Sequence, residues 1–275
     1  MKRKRRKVCL LTAAAVIVTL VHIIPLATII INSFRTNQEI NLSMLGFPKG
    51  IDFQNYLVAW EKGGYASAYV NSLIIGAGTA FVELFVIGFA VYGIQKTDCY
   101  FKKFFSTYFV AGLAIPAFTI LVPLFSFYNQ AELLNTRVGI IIIYVATNMS
   151  FNYMFLSAFF EGMSRELDEA ARIDGATEMQ NFIYNTIPMA KPIFTSIILI
   201  TFVNTWNEFL FSNTFLQEKT MRTVSLRFYN FVGSTSVEYG YVYAAAIISI
   251  LPVVVIYMFT QDKFIEGMTA GSVKG

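Results

Sequence analysis

Apolar stretches recur along this chain, each about twenty residues long, which is what a helix needs to cross a bilayer. They fall at about 8–31, 69–94, 104–128, 138–160, 192–212 and 241–261. No other feature restricts the fold as much. Of the 275 residues, 56% are hydrophobic and only 14% are charged, which is not the make-up of a soluble domain. The fold class that follows is all-α: a polytopic membrane protein of six transmembrane helices. It forms one continuous bundle over 1–275, with no room for a separate soluble domain.

The basic start, MKRKRRK, followed by an apolar run, mimics a signal peptide. Val8 to Ile31 is too long for that role and lacks a small-residue cleavage site, so it reads as an uncleaved first span. Residues 32–68 and 213–240 read as outer segments. In the second span Gly76, Gly78, Gly88 and Gly93 suit close helix packing. In the third, Pro116 and Pro123 predict a kink. With the N-terminus inside, the inner segments hold twice as many Lys and Arg as the outer ones, the bias expected of cytoplasmic loops. Both termini and the loop 161–191 then lie in the cytoplasm. The charge therefore sets membrane orientation and gives no sign of a nucleic-acid partner.

The loop 161–191 is polar and has a pattern of its own. Leu167, Ala170 and Ala171 share one face of a short helix. Ser164 caps its start, and Glu166 and Asp168 suit the positive end of its dipole. Gly175 stands at its stop. Thr177 and Gln180 have capping-box spacing for a second helix, with Met179, Phe182 and Ile183 on its apolar side and Pro188 at its end. The small alanines leave room for another surface to approach the backbone.

The string Glu169-Ala170-Ala171, three residues, Gly175, then Pro188 resembles the EAA motif of ABC importer permeases. EAARIDGA is similar to the sugar-importer branch, whose maltose-type permeases also carry a WNEF string like that at 206–209 and an ending like GMTAGSVKG. Asn185 and Ile187 depart from the usual isoleucine and leucine, and Ser164 from a frequent proline. The resemblance implies a type I importer permease fold with a cytoplasmic coupling helix-turn-helix. It implies that Glu169, Ala170, Ala171 and Gly175 meet a nucleotide-binding subunit; Arg172 and Asp174 beside them read as further polar contacts to it or as a solvated face. It implies partners: a second homologous permease, two ATPase subunits that bind ATP and Mg, and an extracytoplasmic solute-binding protein. The setting implied is a bacterial cell membrane, with lipid around the spans and a sugar or oligosaccharide as cargo.

In the fifth span Asn204, Trp206, Asn207 and Glu208 are costly in hydrocarbon unless they face protein or water. They are candidates for the substrate path: an indole stacks on a sugar face and amides bond hydroxyls. The other reading is that they knit helices together. Glu83 in the second span reads as a helix–helix hydrogen bond or a cavity-facing group. His22 in the first reads as a helix–helix bond. Cys9 and Cys99 have no metal-ligand spacing and read as free thiols near the cytoplasmic side. No GxxxxGK[ST], HExxH or zinc-spaced set occurs, so no catalytic or metal site is expected, no cofactor in this chain, and no ATP hydrolysis by it. Two rivals remain at this stage. One is an ion-coupled secondary transporter using Glu83 and Glu208. The other is a membrane-anchored regulator with a DNA-binding helix-turn-helix, against which the acidic character of 166–178 weighs.

Overall fold

The computed structural model describes residues 2–97, 99–233 and 238–270, with side chains between 11 and 262. Among them the regular structure is helical. In chain order the helices are α1 (Lys2–Asn32), α2 (Asn37–Leu42), α3 (Gln54–Gly63), α4 (Tyr65–Gln95), α5 (Lys102–Gly112), α6 (Ala117–Gln130) and α7 (Arg137–Gly162). They continue with α8 (Glu166–Ile173), α9 (Glu178–Met189), α10 (Lys191–Asn207), α11 (Leu210–Phe215), α12 (Val224–Val232) and α13 (Tyr239–Ala270). The helical form follows from the solvent: in hydrocarbon each backbone amide must find its partner within the chain.

Four stretches are long and apolar enough to cross a membrane: Leu11–Asn32, Tyr65–Gln95, Arg137–Gly162 and Tyr239–Asp262. The count rises to six when two bent pairs are each taken as one span, α5 with α6 (96°) and α9 with α10 (78°). The third predicted span is thus broken rather than kinked. The break falls at 113–116, where Pro116 is extended (ψ 132°), while Pro123 stays inside α6. The fifth stops at Asn207, short of the expected 212, because Glu208 turns extended (ψ 131°).

The chain packs as two compact units, 1–66 with 227–252, and 67–226 with 253–275. In the first, Arg35 is buried at the end of α1 and donates to Asn32 Oδ1 and the Glu39 carbonyl, both at 2.7 Å. Asn55 of α3 donates to the Ser33 and Arg35 carbonyls at 3.0 and 2.9 Å. The segment that follows α1 is therefore folded around satisfied backbone groups. His22 bonds the Val18 carbonyl of its own helix at 2.7 Å, not a neighbouring helix as expected. The side chain of Cys9 lies outside the described residues; Cys99 is a free thiol.

In the second unit α4, α7 and α10 meet at a polar clasp. Asn152 donates to Glu83 Oε1 at 3.2 Å and to Thr201 Oγ1 at 2.9 Å, and all three residues are fully buried. Glu83 is the interhelical hydrogen bond the sequence suggested. Gly76 lets α10 approach closely, since a Cβ there would stand 2.9 Å from the Phe202 ring. Of the other glycines expected at helix contacts, Gly78 would meet Ile141 at 2.9 Å, but Gly93 faces open space. At the other end of α4, Asn71 donates to the Thr220 and Arg222 carbonyls and accepts from Arg137 at 2.9 Å.

Asn152→Leu removes both donors of the clasp. It is expected to cost about 1–2 kcal/mol in detergent unfolding. Asn207→Leu, whose amide bonds only its own helix at Val203, is expected to be near neutral.

Candidate functional site

The polar loop folds as an elbow of two helices. Three acidic residues, Glu166, Asp168 and Glu169, fill the first turn of α8, and Arg172 lies in its last, matching the helix dipole at both ends. Ser164 Oγ accepts the Glu166 amide at 3.1 Å, the expected cap. The helix stops at Gly175, whose φ of 81° suits a residue without Cβ. There the Gly175 amide bonds the Arg172 carbonyl and the Ala176 amide bonds the Ala171 carbonyl, the paired bonds of a Schellman motif. Thr177 and Gln180 then form the reciprocal capping box that opens α9.

The faces of α8 differ from expectation. Successive residues are about 100° apart on a helix, and Ala171 turns inward with Asp168 while Leu167 and Ala170 face out. On α9 Phe182 is buried against the rings of Phe89 and Tyr92, at 5.0 and 4.8 Å, whereas Met179 and Ile183 stand exposed. Pro188 does not end α9. A π turn at Phe182–Thr186, in which the Ile187 amide reaches back to Phe182, widens the helix just before the proline ring would crowd the Tyr184 carbonyl. The helix ends instead at Ala190, fully buried, where the chain bends into α10. The result is an elbow with a hydrogen-bonded polar network on its inner side and a mixed outer side, where apolar side chains stand exposed beside Glu169 and Asp174. Ile173 is 86% exposed and Tyr184 73%, with Leu167 and Met179 about half exposed. Large apolar side chains left exposed beside charged ones suit a surface that something else covers.

Arg172 is used within the elbow. Its Nε donates to Glu178 Oε1 at 2.8 Å, and its other nitrogen donates to the Lys96 carbonyl at 3.1 Å. The Arg172 hydrogen bond, with help from the Tyr92 hydroxyl, holds the Glu178 carboxyl below its ordinary value, and Glu178 in turn raises Arg172. Glu169 and Asp174 are exposed. Three residues that spacing did not single out complete the inner side: Lys96, Asn181 and Tyr92. Lys96 Nζ lies 2.9 Å from Asp168 Oδ2, with both side chains nearly out of solvent. Asn181 donates to Asp168 Oδ1 and to the Tyr92 hydroxyl, each at 3.1 Å. The available signal was a lysine, Lys96, at the end of an apolar span, one of the inner-segment basic residues counted for orientation.

The WNEF string divides by role. Trp206 is buried, edge-on to Tyr69 at 5.7 Å and stacked near Phe202. Two positions from Asn204 on a helix is about 200° of rotation, so the indole does not share the exposed face of Asn204 and Asn207. Asn204 donates to Asn148 Oδ1 at 3.1 Å across to α7. Glu208 is occupied as a cap: it accepts the Phe211 and Ser212 amides at 2.8 and 3.0 Å and the Tyr144 hydroxyl at 2.6 Å. Trp206 and Glu208 thus knit the helices together, and Asn204 and Asn207 keep the exposed polar face. The ending GMTAGSVKG, 267–275, lies outside the described side chains.

A bundle of apolar helices that carries a folded polar elbow is a multi-pass membrane protein of the transporter type. Residues 85–269 match the family described as binding-protein-dependent transport system inner membrane component, and the chain belongs to that family. It is 30% identical to the probable ABC transporter permease protein YurM of Bacillus subtilis (strain 168), over 91% of this chain and 83% of that one. It is also 30% identical to the melibiose/raffinose/stachyose import permease protein MelC of the same organism, over 97% and 96%. The fold is similar to a crystal structure of a bacterial ABC transporter involved in the import of the acidic polysaccharide alginate. That match has a TM-score of 0.82 at 23% identity and covers 95% of this chain and 98% of that one.

Two tests bear on the elbow. Gly175→Val places a β-branched residue at positive φ and is expected to cost about 1–2 kcal/mol locally. It should appear as faster amide exchange over 166–181. The Arg172–Glu178 pair is about half exposed and contributes about 0.2–1 kcal/mol. Since Glu178 titrates below its ordinary 4.5, the contribution is complete above that pH and fades as pH falls through the lowered value. Arg172, held above its ordinary value by the Glu178 hydrogen bond, stays charged throughout this range. Elbow protection is therefore expected to be flat from pH 5 to 8 and to drop in acid, and Glu178→Gln should remove the acid step.

Proposed function

We propose that this chain is one of two permease subunits of a bacterial ABC importer for a sugar or oligosaccharide, serving over 1–275 as a single permease domain. The observation that carries the reading is the elbow: it is capped at both helices, exposes large apolar side chains such as Ile173, and is continuous in the chain with α7 and α10. In this reading the elbow lies in the cytoplasm, together with both termini. It seats on one of two ATPase subunits that bind ATP and Mg, and the chain itself is non-catalytic. Glu169, Ala170, Asp174 and Gly175 form the seat, with Leu167 and Ile173 beside them, while Ala171 packs beneath it and Arg172 braces it. A second, homologous permease completes the pathway in the lipid, and an extracytoplasmic binding protein delivers the cargo. The cargo class rests on the similarity to MelC, a melibiose/raffinose/stachyose import permease. Asn204 and Asn207 offer amides to sugar hydroxyls along the path. The ion-coupled alternative loses Glu208, which is committed to capping α11.

Orientation and docking are tested together. A cysteine at Ala176, in a background of Cys9→Ser and Cys99→Ser, is expected to resist impermeant thiol reagents applied to intact cells and to react in inverted vesicles. Labelling from outside would overturn the reading. A cysteine at Ile173 is expected to cross-link to the ATPase subunit. Ile173→Glu is expected to reduce sugar-stimulated ATPase and uptake together, by about tenfold for a loss near 1.4 kcal/mol.

A further inference from the structure

The elbow is joined through the chain to α7 and α10, and motion of a gripped elbow reaches those two helices covalently. Helix α4 has no such connection, yet its end is bonded to the elbow at several points. Lys96 Nζ bonds Asp168 of α8 at 2.9 Å, and the side chains are 3% and 8% exposed. The Lys96 carbonyl accepts from Arg172, also of α8. Tyr92 donates to Glu178 of α9 at 2.8 Å and accepts from Asn181. Asn181 closes the circuit through Asp168, and Asn185 donates to the Asn181 amide oxygen at 3.0 Å. Separating α4 from the elbow would leave a buried ammonium and a buried carboxylate unpaired, which costs far more than the loss of an exposed pair.

Helix α4 is also built to carry displacement. It is continuous from Tyr65 to Gln95 with no proline inside, unlike α1, α6 and α13 with Pro25, Pro123 and Pro252. From Lys96 to Asn71 is about 37 Å at the rise of an α-helix. At that far point Asn71 holds the Thr220 and Arg222 carbonyls, and Ser72 Oγ accepts the Val224 amide at 2.9 Å.

We propose that α4 is a push rod: the buried Lys96–Asp168 pair, with Asn181 and Tyr92, transmits elbow displacement along α4 to the 220–224 segment at the opposite end. Lys96, Asp168 and Asn181 are positioning residues for coupling. The inference rests on the reading of the elbow as the ATPase seat.

The test uses the assembled transporter, with its partner permease, ATPase and binding protein, in proteoliposomes. Lys96→Met with Asp168→Leu removes the charges and keeps the volume. Copurification of the ATPase and basal ATP hydrolysis are expected to persist. Stimulation by the loaded binding protein, and uptake, are expected to fall about fivefold or more. The exchanged pair, Lys96→Asp with Asp168→Lys, is expected to restore part of both. Lys96→Cys with Asp168→Cys, in the Cys9→Ser and Cys99→Ser background, is expected to be uncoupled when free. It should recover when a short bis-methanethiosulfonate reagent bridges the two thiols through disulfides, releasing methanesulfinate, and lose coupling again on reduction. Full stimulation and uptake in the apolar pair would overturn the proposal. So would loss of assembly in every variant, which would make the pair a folding element only. If Ile173→Cys still cross-links to the ATPase while these variants stay coupled, the push rod fails and the seat stands; if that cross-link is absent, the underlying reading fails first.

Discussion

A stray amide finds no partner in hydrocarbon, and most of this architecture follows from that constraint. Long helices satisfy it by themselves. Where a span is interrupted, a side chain has to collect what the backbone releases. Glu208 does so at the end of α10: its carboxylate takes the Phe211 and Ser212 amides in the first turn of α11 and the Tyr144 hydroxyl besides. A carboxylate deep in an apolar span looks like an ion carrier when read alone; with its acceptor capacity spent, it is a cap. The Glu83–Asn152–Thr201 clasp obeys the same rule between helices.

At the elbow the constraint is relaxed on one side only. The inner side is packed on α4 and carries a hydrogen-bonded network with a buried ion pair. The outer side presents Ile173, Tyr184 and Met179. Caps and turn residues fix the shape before any partner arrives: the Schellman bonds at Gly175 and the reciprocal box at Thr177 leave little freedom between α8 and α9. A preordered surface binds without the cost of ordering it.

The local features of the elbow were legible in the sequence because they depend on neighbours a few residues apart. Ser164, Gly175, Thr177 and Gln180 all act within one turn, and spacing alone located them. The spans were legible for the same reason, since hydropathy is a local sum. What spacing missed depends on contacts across the fold. Whether Ala171 or Ala170 turns inward is decided by the position of Lys96, 72 residues before Asp168. Trp206 looked available to a sugar, but Tyr69 and Phe202 cover it. Pro188 looked terminal because a proline ends an ordinary helix; a π turn is a tertiary accommodation that composition does not announce.

The choice of an ion pair at the base of the elbow has its own physical logic. An apolar pair of similar volume would hold α8 against α4 about as strongly. Lys96, however, follows the last turn of α4, where the helix dipole favours a cation, and Asp168 sits in the first turn of α8, where it favours an anion. Each charge is thus compensated by its partner and by its own helix end. That arrangement fixes direction as well as proximity. A slip by one residue would bring Thr97 or Leu167 into the contact and leave a charge buried alone, whereas an apolar contact would tolerate the slip. A joint between two helices that must be moved and must return to one register gains more from that intolerance than from added stability.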